Sequence, residues 1–229
     1  MVMRTVLIFG ILLNSYGASF LFEPYIGREL GGSYEQLTGY LSPINGSATR
    51  EGKYSGNAFG ALLGFNLGRW TLGGHFGYSK GEMEDESNVL ETFDPVPMST
   101  NTTNFNYDYK RSKAGIFAIY NMNKIVRLGL RIDLSSKLET TVQSPSAAVT
   151  EHEATGVGFL IGVKLFKHLR LNAEYNNNNY EPDNAGRRTI AGQDIEIRDL
   201  NESSWLISLS FPFQIGGNSY SDSYSSSYY

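Results

Sequence analysis

The sequence predicts an all-β fold, an eight-stranded antiparallel up-and-down transmembrane β-barrel, on three observations. Apolar residues alternate at period two through most of the chain, the signature of strands with one apolar face. The connections between the alternating segments are short and long by turns. The aromatic residues on the apolar face fall at two heights, with aliphatic residues between them.

The 229 residues fit one domain. No cysteine occurs, which excludes a disulfide scaffold and a cysteine-anchored lipoprotein. The net charge of −4 and the lack of a basic face give no support to nucleic-acid binding. The first residues read as a leader: Arg4 supplies a positive start, and Thr5 to Leu13 form an apolar run too short to cross a bilayer as a helix. Small residues follow, placing cleavage after Gly17 or Ser19. The expected organisation is therefore a signal peptide over 1–19, a barrel over 20–213 and a Ser/Tyr-rich, low-complexity tail over 214–229.

The first strand is expected over about Phe20 to Arg28 and carries Pro24. The second presents Phe59, Ala61, Leu63, Phe65 and Leu67 on one face; the third presents Trp70, Leu72, Gly74, Phe76 and Tyr78. The fourth, over about Tyr107 to Met122, has the vaguest register, with Ile116, Ala118, Tyr120 and Met122 as its apolar face. In the fifth, Val126, Leu128, Leu130, Ile132 and Leu134 oppose Arg127, Gly129, Arg131, Asp133 and Ser135. The sixth carries Val157, Phe159, Ile161, Val163 and Leu165, and the seventh sets Leu169, Leu171, Ala173 and Tyr175 against Arg170, Asn172 and Glu174. The eighth sets Trp205, Ile207, Leu209, Phe211 and Phe213 against Leu206, Ser208, Ser210 and Pro212.

Three connections are tight: Gly68-Arg69, Asn123-Lys124-Ile125 and Phe166-Lys167-His168. The text around them nearly repeats, as FNLGRWTL, YNMNKIVRL and VKLFKHLRL. The other four, near 29–56, 81–106, 138–155 and 176–203, are polar and are read as long loops. Such loops argue against a compact soluble domain and suit a membrane barrel. An aromatic girdle is expected from Phe59, Tyr78, Tyr175 and Trp205 at the long-loop ends, and from Phe65, Trp70, Tyr120 and Phe211 near the short turns.

Unpaired backbone groups are costly in hydrocarbon, so the first strand must close on the last. An eight-stranded barrel has an interior that side chains fill. The expected lumen network consists of His75, Arg127, Arg131, Asp133, Lys164, Arg170 and Glu174, joined by Glu23, Asn57, Asn66 and Asn172. Charges in that setting are tolerable only as ion pairs, which makes an open channel improbable.

The chain from about 20 to 213 resembles the small outer-membrane barrels of the OmpA/OmpX-like superfamily. The opening FEPYIG, the glycine-laced second and third strands and the closing SWLISLSFPF carry that resemblance. Alternation ending in Phe213 is similar to the signal such barrels present to the insertion machinery, although 214–229 follow it here. The resemblance implies short periplasmic turns, four long extracellular loops, periplasmic termini, and lipid and lipopolysaccharide as surroundings. It also implies an adhesin-like or envelope-stabilising role through the loops, with no catalytic, metal or cofactor residues.

Two other readings stay open. A soluble exported lipocalin-like barrel would turn the apolar face inward around a small apolar ligand. A barrel enzyme acting on lipid A would need a Ser–His pair on the lipid-facing surface. His75 and Ser79 share a strand face, but four residues on a strand span about 13 Å. The acidic run Glu82, Glu84, Asp85 and Glu86, and the Glu151-His152-Glu153 triplet, lack the spacing of a calcium loop and read as solvated loop residues.

Overall fold

Antiparallel pairing carries the period-two pattern around a closed ring. The computed structural model describes residues 18–41, 44–90, 102–142, 149–180, 188–190 and 193–216. The expected leader up to residue 17 and the tail from 217 onward lie outside these. The strands are β1 (Ser19–Leu41), β2 (Ile44–Leu67), β3 (Trp70–Leu90), β4 (Thr102–Asn121) and β5 (Val126–Val142). They continue with β6 (Val149–Phe166), β7 (Leu169–Tyr180), β8 (Arg188–Ile190), β9 (Gln193–Ser210) and β10 (Phe213–Ile215). Each long strand pairs with the next, β7 pairs with β9, and β9 returns to β1 from Tyr25↔Ser210 to Gly39↔Ile195. Eight long strands thus close the barrel, while β8 is a short flap on β9.

Prolines interrupt the closing seam. β10 continues β9 on the same edge of β1, with Phe22 opposite Phe213. Between them Phe211 donates its N–H to the Pro24 carbonyl at 2.9 Å. Pro24 has no N–H to return, so this rung has one bond where its neighbours have two, and Pro212 sits beside it.

The tight turns have local causes. Gly68 takes φ +62°, a left-handed conformation that a two-residue hairpin needs and that glycine adopts at no steric cost. At the second turn the Asn123 side chain accepts from the N–H groups of Ile125 (2.8 Å) and Val126 (2.7 Å), the usual work of Asn in turns.

The segments read as loops are largely strand. β1 and β2 stay in register from Ser19↔Asn66 to Leu41↔Ile44, and β2 and β3 from Leu67↔Trp70 to Ser47↔Leu90. A strand that has left hydrocarbon still satisfies its backbone by pairing but needs no apolar face. Hydropathy alternation therefore ends well before the ladder does.

A bulge re-aims β5. Asp133 pairs with Gly156 and Ser136 with Ala154, so Leu134 and Ser135 stand opposite one residue of β6. Below the bulge Arg127, Arg131 and Asp133 point inward; above it Ser136 and Leu138 do. Ser135, expected in the lumen, lies exposed on the outside for that reason.

Candidate functional site

The outer face is apolar over a band and the inner face is charged, so the site is the lumen together with its lipid-facing wall. Phe159, Ile161 and Ile207 are 59%, 53% and 45% exposed, although a water-soluble fold would bury such residues. Strand register sets the aromatics beside one another. Phe59 lies 5.2 Å from Tyr78 and Tyr175 5.2 Å from Trp205 at the long-hairpin side. Trp70 lies 4.9 Å from Tyr120 and Phe20 5.6 Å from Phe65 at the short-turn side. From Trp70 to Tyr78 the strand advances about 27 Å. A tilt of about 40° reduces this to roughly 21 Å along the axis, near the apolar height of an outer-membrane barrel.

The lumen is filled in three tiers. In the lowest, near the short turns, Glu23 receives both terminal nitrogens of Arg127 (2.7 and 2.5 Å) and Nη1 of Arg170 (3.0 Å). Asn172 accepts from Arg127 at 2.8 Å and donates to Ser210 at 2.8 Å. Gly162 makes room: a Cβ there would stand 2.5 Å from Arg127 Nε.

In the middle tier Nη1 of Arg131 donates to both oxygens of Glu174 at 2.5 Å, and Nη2 lies 2.7 Å from His75 Nδ1. Because Arg131 can only donate, that nitrogen of His75 accepts. The other ring nitrogen lies 3.0 Å from Asp133 Oδ1, and Lys113 Nζ approaches Asp133 at 3.9 Å and Glu29 at 3.5 Å. Gly115 faces this ring; a Cβ on it would come within 2.7 Å of His75 Nε2.

The upper tier centres on Arg111. It donates to Glu29 at 2.7 Å and pairs with Glu202, whose carboxylate also accepts from the Tyr54 and Tyr180 hydroxyls. The Arg111 guanidinium sits 4.8 Å from the Tyr54 ring centre, a cation–π contact. Met83, Tyr109, Leu138 and Ala154 pack around Tyr54 and Tyr180, capping the charges with apolar surface. The lumen crevice between the upper and middle tiers holds only about 20 Å³, room for one water.

His75, Arg127, Arg131, Asp133 and Glu174 are thus all buried inside the barrel, with Arg170 half-buried at the rim and Lys164 inward-facing beside it. Asn57, expected with them, shares the face of Phe59 and lies exposed outside. Phe213 stands outward, its ring stacked 6.2 Å from Phe22. The sequence reading missed Glu29, Arg111, Lys113 and Glu202. Glu29, at the edge of a segment taken as loop, and Glu202, near the end of another, escaped with their loops. Arg111 and Lys113 lay in the strand of vaguest register. Unbroken alternation through Tyr109, Arg111, Lys113 and Gly115, and through Glu202, Ser204 and Leu206, was the available signal.

The lipocalin-like alternative requires the apolar face inside, and the structure turns it outward. His75 is held between Arg131 and Asp133 in the lumen, so it forms no pair with a serine on the lipid-facing wall. Glu82 and Glu84 stand exposed on β3 with Met83 buried between them, while Glu153 pairs with Lys137 at 2.6 Å on the outer wall. These runs are strand, where the sequence reading had loop.

No family model matches the sequence, and no curated protein does. Solved structures do. The outer membrane protein OprG of Pseudomonas aeruginosa matches with a TM-score of 0.50 at 8% identity, over 83% of this chain and 95% of that one. The chain has the fold of the eight-stranded outer-membrane barrels. Ail, the attachment invasion locus protein of Yersinia pestis, matches at 0.44 and 11% identity over 83% of this chain and 99% of its own. Neisserial surface protein A matches at 0.40 and 13% identity, over 86% and 99%.

Proposed function

We propose that this barrel resides in the outer membrane with its termini in the periplasm and works as a non-conducting scaffold. Its long hairpins then act in adhesin-like or envelope-stabilising surface contacts. The observation that carries this reading is the contrast between the two ends. Below the apolar band the chain turns in two to four residues, whereas above it paired strands run on as far as Leu41↔Ile44. A lumen closed by three charged tiers leaves transport little room and gives those hairpins a rigid base. Its surroundings are outer-membrane lipid and lipopolysaccharide, reached after passage through the barrel insertion machinery.

Replacing 34–51 with an Asn-Gly turn, which keeps Ser33 opposite Gly52, tests the reading. The shortened protein should keep the mobility shift between unheated and boiled samples on a detergent gel. Cells carrying it should lose the autoaggregation, surface adherence or detergent resistance that the full chain confers. Steady conductance of the full chain in planar bilayers, or unchanged cell phenotypes after shortening, would sink the scaffold reading.

A further inference from the structure

Two rungs of the lumen wall are built alike, yet only one of them is closed by protein groups alone. On β7 the carboxamides of Asn172 and Asn176 lie over glycines of β6: a Cβ added at Gly162 or Gly158 would run into the Oδ1 atom of the one or the other. Across those glycines β5 presents an arginine, in the pairings Arg127↔Gly162↔Asn172 and Arg131↔Gly158↔Asn176. In the first rung Arg127 donates directly to Asn172 Oδ1 at 2.8 Å. In the second, the terminal nitrogens of Arg131 are turned away to Glu174 and His75. Asn176 Oδ1 therefore accepts from no protein group and Arg131 Nε donates to none, although the two residues are only 1% and 2% exposed. Buried polar atoms of this kind ordinarily find a partner, and an ordered water is one of the partners they find.

Asn176 and Arg131 both line the crevice between the middle and upper tiers. Its volume of about 20 Å³ exceeds the roughly 10–15 Å³ that one water requires. Charge decides what can enter. Arg111, Lys113 and Arg131 on the crevice wall would repel a cation, and Glu29 and Glu174 would repel an anion. What fits is a small neutral molecule that donates to Asn176 and accepts from Arg131. Lys113 offers a further donor, since its Nζ stands 3.5 Å from Glu29 and 3.9 Å from Asp133. Both separations exceed the about 2.7–3.2 Å of an ordinary N–H···O bond, the range at which a bridging water is to be looked for. We propose that this crevice binds one ordered water molecule, held by Asn176 Oδ1, Arg131 Nε and Lys113 Nζ, which joins the middle tier of the lumen to the upper one. The inference concerns the interior alone and stands whatever the hairpins contact.

Crystal structures of the refolded full-length protein test it, at a resolution that shows ordered solvent. One crystal is kept in sodium chloride, one is soaked in sodium bromide and one in rubidium chloride. All three should show a single peak within hydrogen-bond distance of Asn176 Oδ1 and Arg131 Nε, with no anomalous signal from bromide or rubidium. Asn176→Leu, which keeps the branching of the side chain in apolar form, should retain the heat-shifted band on a detergent gel and lose the peak. An anomalous signal in the crevice would make the occupant an ion and overturn the proposal. A parent crystal with no peak there, or one in which the Asn176 carboxamide bonds a protein group instead, would overturn it whether or not the variant folds. A peak unchanged in Asn176→Leu would overturn the part assigned to Asn176.

Discussion

Removing Arg131 should show what the lumen network is worth. In Arg131→Met the two 2.5 Å bonds to Glu174 and the 2.7 Å contact with His75 are lost, leaving a carboxylate that is almost fully buried. The crevice beside it has room for only about one water, so solvent cannot replace the guanidinium. Hydrogen bonds to charged groups contribute about 1.5–3 kcal/mol each, and stranding one partner of a buried ion pair costs about 3–5 kcal/mol. We therefore expect Arg131→Met to lose about 3–5 kcal/mol in urea unfolding from vesicles, followed by tryptophan fluorescence. Arg131→Met/Glu174→Leu should return to within about 1 kcal/mol of the parent, since replacing both members of a pair removes the stranded charge. A single variant as stable as the parent, or a double variant no better than the single, would refute the account of Arg131 and Glu174 as a buried pair out of reach of solvent.

Three further outcomes follow from the same geometry. Ile161→Arg, midway down the lipid-facing wall, should destabilise by about 2–4 kcal/mol in the same assay. Ser203→Arg, exposed above the girdle, should change little; equal losses would mean the band is misplaced. Phe213→Ser should lower the amount assembled in the outer membrane of cells, read from the heat-shifted band, while refolding in detergent proceeds; an equal loss in both would assign Phe213 to packing with Phe22. Gly115→Val should prevent folding or lower the urea midpoint sharply, because its Cβ would overlap the Ile132 carbonyl and crowd His75; a parent-like midpoint would show that the middle tier is loose.

The membrane-embedded part of the fold was legible because hydrocarbon imposes a strict alternation there. Leu128, Leu130 and Ile132 can only point one way, and Arg127 and Arg131 the other. Above the girdle a paired strand needs no lipid-facing apolar side, so alternation of hydropathy lapses while hydrogen bonding does not. Segments such as 29–41 and 81–90 therefore read as loop. Ser135 misled for a different reason, since a bulge shifts the face by one residue and leaves no mark in composition. The identities of lumen residues were readable strand by strand, but their partners were not. That Glu23 meets Arg127 and Arg170 depends on strand tilt and stagger around the ring, which a single sequence does not encode locally.

The seam between β1 and β9 also bears on how the chain could change. Its contacts join residues 156 to 185 positions apart, so closing it costs more chain entropy than forming any of the hairpins. Glu23 draws one partner from β5, another from β7 and a third, Ser210, from β9. Losing the last strand would not leave a narrower cylinder: it would bare two ladders to lipid and take Glu202 away from the buried Arg111. Gradual trimming from the carboxyl end is therefore barred to this architecture, and hairpin-by-hairpin variation above the membrane is the route left open to it.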